Sequence, residues 1–248
     1  PHLTTALAGP LMTLERTFLD RMPDIERWLR SKWHEHAIPF YASVDLRNAG
    51  FKLAPVDTNL FPGGFNNLNP AFLPLCVQAV QAAVEHVCPD ARGVLLVPEN
   101  HTRNTFYLRN VATLEGILKQ AGLSVRIGTL IPDITAPTRI DLPDGSSLTL
   151  EPIVRTGNRS RTVAVANVHL GLAGFDPCMV LLNNDLSAGP PEILQGIEQP
   201  IAPPLAAGWY NRLKSHHFEA YHAVADEFGA LVGIDPWLID PYFGVCGK

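Results

Sequence analysis

A chain of 248 residues has room for one large domain or two small ones, and 46% hydrophobic with 17% charged residues describes a folded globular protein, not a disordered one. A formal net charge of −5 without any long Lys/Arg run offers nothing to a nucleic-acid backbone. No apolar run approaches the roughly 18 residues of a membrane span, and the opening PHLTTALAGPLMTLERTF lacks the basic start and long apolar centre of a secretory signal. Cytoplasm is therefore the expected compartment, with neither membrane nor nucleic acid as partner. Cys76, Cys88, Cys178 and Cys246 contain no CxxC pair, which fits neither a zinc site nor a dense disulfide framework. Cys76 and Cys178 lie in apolar runs and are expected to pack as small hydrophobes.

Taken in order, Leu11 to His36 has helical spacing (Leu14, Phe18, Met22, Ile25, Leu29), interrupted at Pro23, which predicts a kink or two helices, the second starting near Asp20 or Met22. Trp28 and Trp33 are expected to anchor it. His34 and His36 are two apart and face different ways on a helix, which favours a solvated helix end over a metal site. Ser43 to Leu68 mixes Asp45, Arg47, Lys52 and Asp57 with Phe51, Phe61 and Phe65, and reads as a polar surface on an apolar footing. A helix is predicted over Pro70–Val87 with Asn69 as cap, then a buried strand Val94–Val97, a polar run Glu99–Asn104, a helix Thr105–Gln120 capped by Gly122, and a strand Ser124–Leu130.

Residues 138–169 change to short alternating runs (RIDL, SLTLEPIV, RTVAVANV) separated by Asp144-Gly145 and Gly157-Asn158, which predicts a small antiparallel meander. Phe175–Leu182 reads as another buried strand, and a short helix at Pro190 would offer backbone N–H groups to an anion. A helix is predicted from about Asn211 to Phe228, capped by Gly229, with an extended tail IDPWLIDPYFGVCGK. This order gives an α/β fold: an open, mainly parallel sheet with flanking helices and a small antiparallel β excursion.

In such sheets ligands sit beyond the carboxyl ends of the strands. Three polar segments, Ser43–Leu68, Glu99–Asn104 and Asn183–Ser187, are expected to converge with Arg212 and Lys214 on one crevice. The candidate substrate-binding residues are Arg47, Asp57, Asn59, Asn100, Arg103, Asn104, Asn183, Asn184, Asp185, Arg212 and Lys214. Arginine forks grip carboxylates, while Asp and Asn receive an ammonium or fix an amide, so an amino-acid ligand fits the set. The alternative is that Arg47, Arg103 and Arg212 pair with Asp45, Asp57 or Glu99 to hold loops together. There is no GxSxG, HExxH, Walker A or GxGxxG motif, and no side chain is singled out as catalytic. A hydrolytic metal site from His101, His169, Asp185 and His216 has no support in spacing. A non-catalytic amino-acid or peptide binding module remains open.

Five blocks, VDLRNAGFKLAPVDTNLFPGGFNNL, PENHTRN, VLLNNDLS, the GW..R.KS.HF pattern of Gly208–Phe218 and IDPWLIDPYF, occur in order over roughly Leu11 to Gly247. In them the chain resembles the proteobacterial glutamate–cysteine ligases of the GshA type, in the ATP-grasp superfamily. The resemblance implies a pre-ATP-grasp-like sheet and an ATP- and Mg²⁺-dependent ligase. It would join the glutamate γ-carboxylate to the cysteine amine through an acylphosphate, the first step of glutathione synthesis. It also implies a longer protein, since the nucleotide-binding lysines, glycine loop and Mg²⁺ carboxylates of such ligases lie beyond the counterpart of Lys248. Residues 1–248 are then expected to be the amino-terminal substrate-binding portion, with glutamate and cysteine as ligands and the ATP-binding half not present.

Overall fold

The computed structural model describes residues 9–101, 103–156 and 168–241. Helices α1 (Pro10–Asp20) and α2 (Met22–Glu35) are separated at Arg21, and Pro23 sits in the first turn of α2, where its missing N–H leaves no bond unmade. Strands β1 (Ser43–Asn48) and β2 (Leu53–Asn59) follow, then a 3₁₀ turn at Phe65–Asn67 and another at Pro70–Phe72 that leads into α3 (Leu73–Val87). Asn69 caps the second turn, its Oδ1 accepting from Ala71 N at 3.0 Å. Next come β3 (Gly93–Pro98), α4 (Thr105–Gln120), β4 (Ser124–Thr129), β5 (Thr138–Asp141), β6 (Ser147–Pro152), β7 (Val154–Thr156) and β8 (His169–Gly171). The chain continues through β9 (Met179–Asn183), β10 (Ile201–Ala202) and α5 (Lys214–Val232).

Several expectations are corrected. The stretch beginning at Ser43, given no secondary structure from its sequence, forms a β1–β2 hairpin, with Ser43 opposite Asn59 and Asn48 opposite Leu53. Helix α5 starts later than predicted, leaving Arg212 ahead of it, and runs through Gly229 to Gly233, whose φ of 79° supplies the left-handed turn. Gly229 instead permits close packing, since a Cβ there would lie 2.9 Å from Pro236 Cγ. The helix at Pro190 is only a 3₁₀ turn, Glu192–Leu194, too short to create an anion site. The tail makes a 3₁₀ turn at Pro236–Leu238, capped by Asp235. Trp33 is exposed, whereas Trp28 meets Phe228 edge-on at 5.3 Å. The 157–158 turn, nearly all of RTVAVANV, Thr102 and Cys246 lie outside the described residues.

The chain forms two compact units. Unit 2 comprises Pro39–Ala42 and Leu60–Asn211 and holds a six-stranded sheet in the order β10-β9-β3-β4-β6-β5. Every pairing in it is parallel except β5 with β6. The first hairpin of the predicted meander therefore extends the main sheet, while β7 and β8 form a separate antiparallel pair. β3 is buried throughout because both of its faces are covered, as continuous apolar runs in parallel sheets require. Val94 and Leu96 join Leu108, Val111, Leu114 and Leu118 of α4 on one face, and Leu95 and Val97 join Val180, Leu182 and Leu194 on the other.

Unit 1 comprises residues 9–38, Ser43–Asn59 and 212–241. Its core is small: Leu11 and Leu14 of α1 meet Ala225 of α5 and Ile239, with Phe18, Tyr221 and Phe228 packed around them. Trp28 Nε1 donates to Glu227 at 2.6 Å, Lys32 reaches the same carboxylate at 2.9 Å, and Arg21 donates to Leu231 O at 2.9 Å, so α2 is tied along α5. At the hairpin tip, Phe51 stacks on Trp237 with ring centroids 5.7 Å apart.

Leu95→Ala and Leu96→Ala, one on each face of β3, are each expected to cost about 2–5 kcal/mol, read from urea denaturation midpoints. Gly233→Ala should cost about 1 kcal/mol in the same assay, because alanine resists the left-handed conformation.

Candidate functional site

The carboxyl ends of β3, β4, β6 and β9 open onto a cavity of about 780 Å³ in unit 2. β3 connects through α4 to β4 on one side, while β9 pairs with β3 on the other, so the connections diverge between β3 and β9. That divergence leaves a crevice at the strand ends, the usual ligand position in open α/β sheets.

At the end of β9 lies a hydrogen-bonded polar cluster. Asn183 ends β9 and is buried, with Nδ2 donating to Pro62 O at 2.8 Å and Oδ1 facing Asn110 Nδ2 at 3.3 Å and the Tyr107 hydroxyl at 3.1 Å. The Tyr107 hydroxyl also lies 2.8 Å from Asn183 O and accepts from Glu99 N at 2.8 Å. The Tyr41 hydroxyl donates to Leu182 O. Burial pushes both phenols above their usual range, so both remain protonated donors at neutral pH.

Next along the chain, Asn184 Oδ1 accepts from Leu186 N at 3.0 Å, which holds Leu186 at a φ of 55°. A buried leucine in the left-handed region is strained, and such strain gathers at sites that fix a loop for a ligand. Glu99 Oε1 accepts from Asp185 N at 2.6 Å, and Asp185 Oδ1 accepts from Ser187 N at 2.9 Å. Burial raises the Glu99 pKa first of all; the Asp185 N–H opposes it, the Asp185 charge adds to it and His101 opposes it.

The candidate residues fall into two groups. In unit 2, Asn100 and Asn184 line the cavity, whereas Asn183 and Asp185 are not among its lining residues and are held by hydrogen bonds to Pro62 O and Glu99. Asn104 caps α4, its Oδ1 accepting from Tyr107 N at 3.2 Å, and Arg103 is exposed one residue before it. In unit 1, Arg212 Nη1 donates to Thr58 O at 2.9 Å and Nη2 to Thr58 Oγ1, while Lys214 pairs with Asp57 at 3.2 Å. Arg212 thus joins β2 to the start of α5 through Thr58. His217 lies 3.1 Å from Thr58 Oγ1, and burial followed by the Arg212 charge holds its pKa below the usual value. Asn59 closes β2 opposite Ser43, and Arg47 is exposed on β1 opposite Ala54.

Sequence reasoning placed Glu99 in the polar run at the end of β3 without counting it among the substrate-binding residues, and it missed Tyr107 and Asn110 as site residues. The available signal was a tyrosine and an asparagine at 107 and 110, a polar pair spaced by three on the otherwise apolar face of α4. The proposed His101–His169–Asp185–His216 set is not assembled. His169 pairs with Glu198 at 3.1 Å, and no three or more His, Cys, Asp or Glu side chains are grouped to hold a metal among the described residues. Nor, among them, is any helix long and apolar enough to cross a membrane.

The sequence matches the family described as GshA, glutamate-cysteine ligase, over residues 15–248. The chain belongs to the GshA family. It is also similar to a crystal structure of a Methylobacillus flagellatus KT protein provisionally named gamma-glutamylcysteine synthetase, with 64% identity and a TM-score of 0.88. That similarity covers 100% of this chain and 56% of the neighbour's, so this GshA chain spans little more than half the neighbour's length. No curated protein matches it.

The raised pKa of Glu99 fixes a sign. Between its unfolded and folded values the native state binds more protons than the unfolded chain, so this carboxyl lowers stability as pH rises through that window. Glu99→Gln keeps an acceptor for Asp185 N and removes the titration. Denaturation midpoints of wild type and variant should coincide near about pH 4, with the variant becoming the more stable as pH rises to about 7. A constant difference across that range would contradict the assignment.

Proposed function

We propose that this chain carries the substrate-binding portion of a cytoplasmic glutamate–cysteine ligase, an ATP- and Mg²⁺-dependent enzyme of the ATP-grasp type acting on the two free amino acids. The observation that carries this reading is the GshA match through nearly the whole chain, on a fold whose strand ends open into a cavity with convergent polar groups. ATP supplies the phosphoryl group that activates the glutamate γ-carboxylate for attack by the cysteine amine. Among the described residues no three or more acids, histidines or cysteines are grouped to hold a metal, and no residue of this chain is assigned to nucleotide or metal. The chain's own part is to bind and orient. The cluster around Asn183 fixes the ends of β3 and β9, which holds the strand ends in place for a ligand.

The intact protein supplied with ATP, Mg²⁺, glutamate and cysteine is expected to release ADP only when both amino acids are present. ADP release unaffected by omitting either one would defeat the reading, and binding of an amino acid without any turnover would favour a binding module. Arg47→Ala and Arg103→Ala remove exposed guanidinium groups and should leave the melting temperature unchanged. If these groups grip a substrate carboxylate, kcat/KM falls about ten- to a hundredfold, the equivalent of roughly 1.5–3 kcal/mol for a charged hydrogen bond. Unchanged kinetics in both would remove them from the site.

A further inference from the structure

We propose that the cavity at the strand ends of unit 2 is the pocket for the amine-bearing nucleophile and that Glu99 holds its ammonium and takes up its proton. In the ligase reading, on which this rests, that nucleophile is cysteine and not glutamate.

The charged side chains lining the cavity are Glu99 and Glu192, and no Lys, Arg or His lines it among the described residues. Arg155, which reaches the same loop, uses Nη1 on the carbonyls of Glu192 and Ile193 at 2.8 and 2.9 Å. Leu130, Ile131, Ile153 and Ile193 supply apolar wall. Glutamate would bring two carboxylates and one ammonium to two protein carboxylates, with no cation among those residues to receive either carboxylate. Cysteine carries one carboxylate, one ammonium and a thiol that suits an apolar wall. The volume of about 780 Å³ exceeds one small amino acid and leaves room for the carbonyl that the amine attacks.

Glu99 is placed for this work. Its N–H is fixed on the Tyr107 hydroxyl, and Oε1 is fixed by Asp185 N, which leaves Oε2 to receive a ligand N–H. An ammonium cannot attack. The Glu99 carboxylate takes one of its protons, becoming the acid and freeing the nitrogen lone pair. The new C–N bond forms at the acyl carbon as the C–O bond to phosphate breaks. Phosphate departs with that electron pair, and the second proton of the nitrogen leaves with it. Asp185, His101 and the protonated Tyr107 are the titratable neighbours, and burial with the Asp185 charge makes Glu99 a stronger base than an exposed carboxylate.

The test is steady-state kinetics of the intact protein with Glu99→Gln. KM for cysteine should rise about tenfold or more and KM for glutamate stay within about twofold. A rise confined to glutamate, or no change in either, overturns the proposal. If the variant does not fold by circular dichroism, wild-type inhibition decides. L-cysteine ethyl ester, which keeps the amine and masks the carboxylate, should compete with cysteine about tenfold more tightly than 3-mercaptopropionate, which lacks the amine; equal or reversed potency overturns it. Wild type without any ligation removes the ligase reading alone. Calorimetry then tests the pocket directly: cysteine ethyl ester should bind wild type at least about tenfold more tightly than Glu99→Gln, and equal affinity overturns it.

Discussion

The buried amide of Asn183 is the constraint on which the site end of unit 2 depends. An amide without partners away from water costs more than a hydrogen bond returns, so its position dictates what surrounds it. Pro62 O takes its donor, Asn110 and Tyr107 serve its oxygen, and the Tyr107 hydroxyl carries the connection on to Glu99 N. Two neighbouring strand ends and the first turns of α4 are thereby locked to one another. Among the described residues every buried side-chain nitrogen and oxygen has a partner, so this network is closed. Such closure gives a crevice a fixed shape before any ligand arrives.

Unit 1 is built on a different balance. Its apolar core is thin, and alignment of α2 and α5 rests on aromatic edges around Phe228 and on charged contacts converging on Glu227. Those contacts are exposed, so they orient the helices more than they stabilise them. Thr58 gathers the polar residues of this unit, receiving Arg212 at its carbonyl and hydroxyl, with His217 beside it.

Elements with strong local signals were legible. α4 begins and ends where Asn104 and Gly122 place it, and β3 and β9 are buried where their unbroken apolar runs require. The β1–β2 hairpin was not legible, because only β1 alternates (Val44 and Leu46 between Ser43, Asp45 and Arg47), while β2 does not and carries Pro55. Val44 and Leu46 remain exposed, and the turn around Gly50 lacks the two-residue dipeptide that announces a hairpin. Gly229 misled because a glycine kept for close approach to Pro236 looks, in sequence, like one kept for a helix end. In the site, the polar strand ends were visible as Asn and Asp clusters. The partners that fix them come from α4, and side chains pointing inward from a helix are read as core unless their chemistry is weighed as well as their spacing.

The order of segments also sets how the molecule can assemble. Unit 1 draws on residues before 60 and after 211, whereas nearly all of unit 2 is one continuous stretch between them. Its sheet is parallel, but its pairings close within that stretch, so unit 2 can form while α1, α2 and the hairpin still lack α5. The helices α1 and α2 leave the ribosome well before the partner they pack against. Their apolar faces, Leu11, Leu14 and Phe18, stay uncovered by Ala225 and Phe228 until the closing loop has been made. Synthesis of this chain leaves that early hydrophobic surface exposed for longest, and its protection falls to whatever meets nascent chains.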